Sequence, residues 1–265
     1  MKIVVFDLDE TLGYFTEFGI FWDSVIQYLK NTNKPNVSQT DFDNTLDLFP
    51  EFLRPNIINI LNYLKNKKKS YCCHKMMIYT NNTGPKEWSH NIIDYFSKKI
   101  NYKIFDQLIS AFKVNNKVVE VCRTTHNKTY NDFIKCTKLP VNAKICFLDD
   151  TFYPEMVNDN IYYINVKPYY YDIQFEDMLE IFNNSIVGKK IINNDENFNS
   201  IMIENIKKYN YVCIDKEEKE YEVDKILGKQ IITHLHEFFN ETKNNKTIKN
   251  KKLKNYKFNK TRRNH

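Results

Sequence analysis

Asp7, Asp9 and Glu10 follow directly on the apolar run Ile3, Val4, Val5, Phe6, and Asp149 and Asp150 follow on Ile145, Cys146, Phe147, Leu148. Side chains two apart on an extended segment point to the same side, so Asp7 and Asp9 can converge on one pocket. In an open parallel sheet, ligands sit beyond the carboxyl ends of the strands. Two buried strands that both end in acid would therefore crowd at least three carboxylates into one site. Like charges at that range raise each other's pKa, and the simplest remedy is a hard divalent cation with oxygen ligands. Magnesium fits best, because it takes one or two carboxylates, waters and a substrate phosphate oxygen. A phosphate-bearing substrate follows, since the cation screens the phosphate from the acids.

The same chemistry asks for donors to the phosphate. Thr80 ends the apolar run 75–79, where its hydroxyl could hold a phosphate oxygen. Lys128 precedes a helical stretch in the interval before the second acidic run, and Lys113, Lys117 and Lys135 compete with it. The bland alternatives are solvated strand ends and a helix cap at Thr80, Asn81 or Asn82. No Gly-x-x-x-x-Gly-Lys-Ser/Thr occurs, so a nucleotide phosphate has no glycine-rich cradle. Direct attack by a carboxylate is the chemistry that remains.

Positioning these groups takes a parallel sheet. Residues 2–7, 75–80, 104–110, 143–150 and 161–166 are short apolar runs without polar alternation, the pattern of strands covered on both faces. Helical spacing fills the intervals, with Pro55 near the start of one helix, Gly84-Pro85 opening another and Pro140 ending a third. Strands alternating with helices predict an α/β fold, a Rossmann-like parallel sheet with helices on both faces. The core spans 1–185, with a small insert at about 13–50 whose aromatics either flap over the site or pack in the core. A mainly helical C-terminal extension spans 186–242, with 211–215 a possible further strand.

Taken together, "DLDET" (7–11), "MIYTN" (77–81), Lys128 and "CFLDD" (146–150) resemble, in order, the four motifs of the haloacid dehalogenase (HAD) superfamily of phosphohydrolases. Within it, "DLDETL" and "FLRPNIINILNYL" are most similar to the carboxy-terminal-domain phosphatase branch, also called NLI-interacting-factor-like. Asn56 stands where that branch has Gly, and Asp150 where it has Asn. The resemblance implies a HAD-like fold and a magnesium-dependent phosphatase, with phosphoserine or phosphothreonine in proteins as one substrate class. It implies Asp7 as nucleophile, Asp9 as general acid and base, and Thr80 and Lys128 as stabilisers of the phosphoryl charge. Magnesium would be held by Asp7, the backbone carbonyl of Asp9, Asp149 and Asp150, with Asp149 alternatively orienting Lys128. Thr11 and Asn81, within these motifs, are the substrate-binding candidates. The alternatives are a nucleic-acid end phosphatase and a non-catalytic HAD-like scaffold.

The remaining features set the context. Thr242 to His265 holds ten Lys/Arg and no Asp/Glu, so with a formal charge of +6 overall the preceding residues carry −4. That composition predicts a basic disordered tail over 243–265 that can contact polyanions. No stretch reaches the roughly 18–20 apolar residues of a membrane span, and the start of the chain does not read as a signal peptide. The expectation is a soluble, intracellular protein whose six cysteines stay reduced, without zinc or redox spacing.

Overall fold

The structure is a computed structural model that describes residues 1–240; the predicted tail 243–265 lies outside the described residues. Five strands form the main sheet: β1 (Lys2–Phe6), β2 (Lys75–Tyr79), β3 (Gln107–Ile109), β6 (Lys144–Asp149) and β7 (Ile161–Asn165). Their order is β3-β2-β1-β6-β7, and every pairing is parallel. Strand β1 is therefore central. The chain runs outward from it through β2 and β3, then returns to its other flank for β6 and β7. The gap between β1 and β6 is a topological switch point, where such sheets bind ligands.

The strands lack polar alternation because both faces are covered. Val4, Phe6, Met76, Ile78, Cys146 and Leu148 enter one core, and Ile3, Val5, Met77, Tyr79, Ile145 and Phe147 enter the other. The first core is the larger. Helices α1 (Thr16–Asn31), α2 (Gln39–Leu46), α3 (Ile57–Lys69), α4 (Lys86–Lys99) and α6 (Phe175–Asn184) all contribute to it. The second face is covered by α5 (Tyr130–Thr137), through Phe133, and by a turn of 3-10 helix at Pro154–Met156. This is an α/β, Rossmann-like arrangement, as the apolar runs predict.

Several local expectations are corrected. The polar stretch after residue 31 contains α2, because Ser38 and Asp41 form a reciprocal capping box, with Ser38 N to Asp41 Oδ2 at 2.9 Å and Asp41 N to Ser38 Oγ at 3.2 Å. Of the two alternatives for the aromatics of the insert, core packing holds: Phe15, Phe18, Phe21 and Trp22 are core residues, with Phe18 against Phe42 (5.4 Å) and Phe21 against Phe49 (5.8 Å). Residues 211–215 form no strand. Sequence reasoning did not assign a hairpin of β4 (Lys113–Val114) and β5 (Lys117–Val118), turned by Asn115 and Asn116 at positive φ. Cys122 and Cys136 are joined in a disulfide, against the expectation of six thiols.

Beyond residue 185, α7 (Ile186–Ile192), α8 (Phe198–Lys207) and α9 (Glu218–Asn240) bury Val187, Ile191, Phe198, Met202, Ile206, Ile231, Leu235 and Phe238 in the same large core. Helix α9 is tied to the start of β1, where Lys2 Nζ donates to the carbonyls of Phe238 (2.5 Å) and Phe239 (2.9 Å) in the helix's last turn. Among the described residues, no helix is long and apolar enough to cross a membrane.

Candidate active site

Register brings the acids together. Phe6 pairs with Leu148, and the amide of Asp7 donates to Leu148 O at 2.9 Å, so Asp7 and Asp149 leave adjacent strand ends side by side. Carboxylate oxygens of Asp7, Asp149 and Asp150 lie within 4.8 Å of one another. On the other flank of β1, Thr80 continues β2 through its amide to Ile109 O at 3.0 Å and is almost fully buried.

Lys128 completes the cluster. It is buried, and its Nζ donates to Asp7 Oδ1 at 2.5 Å and to Asp149 Oδ2 at 2.6 Å. Tyr79, Phe147 and Tyr153 surround the ammonium at 5.4 to 6.0 Å from their ring centres. The lysine arrives from the loop before α5, whose first turn is capped by Thr129 Oγ1 accepting from Asp132 N at 3.0 Å. Of the competing lysines, Lys113 and Lys117 lie on the β4–β5 hairpin and Lys135 is exposed on α5.

The two acids before Glu10 are held differently. Desolvation raises the Asp7 carboxyl, against the pull of Lys128. Desolvation and then the charge on Asp7 push Asp9 up to about 7, although Asn82 Nδ2 donates to its Oδ2 at 2.8 Å. Asp149 is raised to about 7, again by desolvation first and against Lys128. Burial alone would lower the Lys128 ammonium, but Asp7 and Asp149 outweigh it and the group stays charged far above neutrality.

Thr11, a substrate-binding candidate from sequence, meets Asp150. Its hydroxyl donates to Asp150 Oδ1 at 2.9 Å and accepts from the Asp150 amide at 3.1 Å. Asn81 is held at both ends, Nδ2 to the Tyr153 hydroxyl at 3.0 Å and Oδ1 from Arg123 Nη2 at 2.7 Å. The Thr80 hydroxyl accepts from Asn82 N at 3.0 Å, leaving its proton to donate.

Two arginines were missed by sequence reasoning. Arg54 donates to the carbonyls of Glu10 (2.5 Å), Thr11 (2.6 Å) and Lys167 (2.8 Å), gripping the loop after β1, where Glu10 sits at φ 56°. Arg123 holds the segments around Thr80 and before Lys128. A signal was present: outside the basic tail these are the only arginines of a lysine-rich chain. A planar fork of donors suits the binding of several carbonyls at once, as an ammonium does not.

The donor set fits a hard divalent cation. Once ionised, three clustered carboxylates against one ammonium carry an excess of negative charge, and all the donors are oxygens, the ligands such an ion prefers. No protein-family model, curated protein or solved structure matches the chain.

Proposed function

We propose that the chain is a magnesium-dependent phosphomonoesterase of the haloacid dehalogenase type, working through a phosphorylated Asp7. The observation that carries this reading is the meeting of Asp7, Asp149 and Asp150 within 4.8 Å at the switch point, with Lys128 bonded to two of them. A solvated strand end would not bury an ammonium between two carboxylates.

Asp7, Asp149 and Asp150 are the residues that would hold magnesium, with the backbone carbonyl of Asp9 as a further donor. When bound, the ion neutralises the acids and withdraws charge from the phosphoryl oxygens. An Asp7 oxygen attacks phosphorus and the P–O bond to the leaving group breaks. Asp9, with a pKa near 7, is suited to carry the proton that the leaving oxygen takes. Water then attacks the acyl phosphate, gives its proton to Asp9 and releases inorganic phosphate. Thr80 and Lys128 supply fixed donors for the charge spread over the equatorial oxygens.

Hydrolysis of p-nitrophenyl phosphate with and without magnesium tests this. Asp7→Asn is expected to abolish turnover, and Asp9→Asn to lower it at least about 10²-fold. Turnover that survives Asp7→Asn undiminished removes the nucleophile and the reading with it.

A further inference from the structure

Arg123 is 2% exposed, and its guanidinium reaches five acceptors. They are Thr80 O (3.1 Å), Ser110 O (2.8 Å), Asn81 Oδ1 (2.7 Å), His126 O (2.9 Å) and Asn127 O (3.3 Å). The ring of Tyr79 lies 4.8 Å from it. Four of those acceptors belong to the two segments that present donors to a phosphate, 80–82 after β2 and 126–128 before α5; the fifth, Ser110 O, follows β3. One planar group therefore sets the spacing between Thr80 and Lys128.

The residue next to it is bonded covalently. Cys122 is joined to Cys136, near the end of α5, with Cα atoms 5.0 Å apart and a sequence separation of 14. The loop that this bond closes contains both Arg123 and Lys128. Asp132 of the same helix accepts from Thr124 N at 2.8 Å and Thr124 Oγ1 at 2.9 Å, so the loop is fixed to α5 at two levels. Both sulfurs belong to half-buried residues, and Cys72 is an exposed free thiol of the same chain. A disulfide opens when a thiolate attacks one of its sulfurs, so a bond between half-buried cysteines is a candidate for exchange with an added dithiol.

We propose that Arg123 is a positioning residue for this site, held in register by the Cys122–Cys136 bond, so that reducing the bond slackens the phosphate-binding half and lowers turnover. The proposal rests on the phosphatase reading above. The reductant is a dithiol, whose two thiols lose two electrons and two protons and close into a disulfide; in the test a phosphine supplies the two electrons, water supplies the two protons, and the phosphine leaves as its oxide with the oxygen of that water. The S–S bond of Cys122 and Cys136 opens, and each sulfur takes one electron and one proton. Nothing in β1 or β6 needs to move; the change is confined to 80–82 and 122–128.

The test uses the full chain, oxidised or reduced with a phosphine, with thiols counted by alkylation and mass spectrometry. Reduction should raise the count from four to six. It should also lower kcat/KM for p-nitrophenyl phosphate about tenfold, with the loss carried by kcat, since donors displaced by a fraction of an ångström fail chiefly in the transition state. Cys136→Ser should sit at the reduced level and ignore the phosphine, while Cys72→Ser should respond as the natural chain does. Hydrogen exchange read in parallel should show lost protection over 80–82 and 122–128, with β1 and β6 unchanged. Six thiols with unchanged kcat/KM overturn the proposal. If neither redox state hydrolyses the ester, the phosphatase reading fails by itself, and the exchange data still decide: unchanged protection over 80–82 and 122–128 overturns the positioning role.

Discussion

Lys128 occupies a place that a neutral side chain cannot fill, because its ammonium is what allows two buried carboxylates to ionise side by side. Removing one partner of a buried ion pair costs roughly 3–5 kcal/mol, mostly the penalty of leaving the other charge unpaired. Lys128→Met is therefore expected to lower stability by about that amount in EDTA near pH 8. Magnesium should restore more of it than it adds to the natural chain, since the cluster then carries a third uncompensated charge. Turnover should stay low even when the fold is rescued, because a metal at the carboxylates does not replace the donor to phosphate. Thermal unfolding with and without magnesium, beside p-nitrophenyl phosphate hydrolysis, separates the two roles; a variant whose melting temperature ignores magnesium would contradict the metal assignment. At this scale the sequence was informative wherever a residue ended an apolar run: Asp7, Thr80 and Asp149 are where such runs place them. Lys128 was legible only by its order among the motifs. Arg54 and Arg123 were not, because they act on backbone carbonyls from other segments, and no local pattern encodes that.

Helices and turns were read from periodicity and punctuation, and the punctuation is unusual here. With five glycines in the chain, asparagine takes the left-handed positions: among the described residues, eight of the eleven non-glycine residues at positive φ are Asn, and no glycine is at positive φ. Asn56, at φ 70°, is the residue before α3 and holds the left-handed conformation that its short polar side chain tolerates. The insert hides a short helix, α2, because its apolar face is weak and only the Ser38–Asp41 capping box marks its start. Helix α1 carries a less visible feature in Glu17, which is buried and accepts from Ile173 N at 2.9 Å and from Cys213 Sγ at 3.2 Å. Desolvation pushes its carboxyl from 4.5 to about 8, so the folded chain keeps a proton that the unfolded chain releases. Its contribution to stability is thus fully present below about 4.5 and lost as pH rises through about 8. Glu17→Gln should flatten that decline and leave the variant more stable than the natural chain by a few kcal/mol above about pH 8. Urea unfolding of both proteins at several pH values checks this, and parallel profiles would count against a proton held at Glu17.

Across the whole molecule, the strand-helix alternation of the first 185 residues specified the sheet, but nothing in it said what the later helices pack against. An amphipathic stripe shows that a helix buries one face, not which partner receives it. The structure supplies the partner for α9, which crosses the turn at Arg54 and Pro55. A Cβ on Gly228 would lie 2.2 Å from Pro55 O, and Asn56 Nδ2 donates to Gly228 O at 3.2 Å. One turn earlier, Asp224 is fully buried and pairs with Lys216 and Lys167, and the carbonyl of Lys167 in turn accepts from Arg54. Arg54 grips Glu10 and Thr11, and Thr11 holds Asp150. A continuous set of contacts therefore runs from the last helix to a proposed metal ligand. Gly228→Val would drive α9 away from Pro55, since the clash is with backbone and no flexible side chain can yield. The expected result is a loss of about 1–3 kcal/mol in stability, together with a fall in kcat/KM measured well below the melting temperature, where nearly all molecules are folded. Gly228→Ala should show both effects to a lesser degree, because the smaller side chain meets the same carbonyl. Full turnover in a destabilised Gly228→Val would show that α9 supports the fold without setting the geometry of the site.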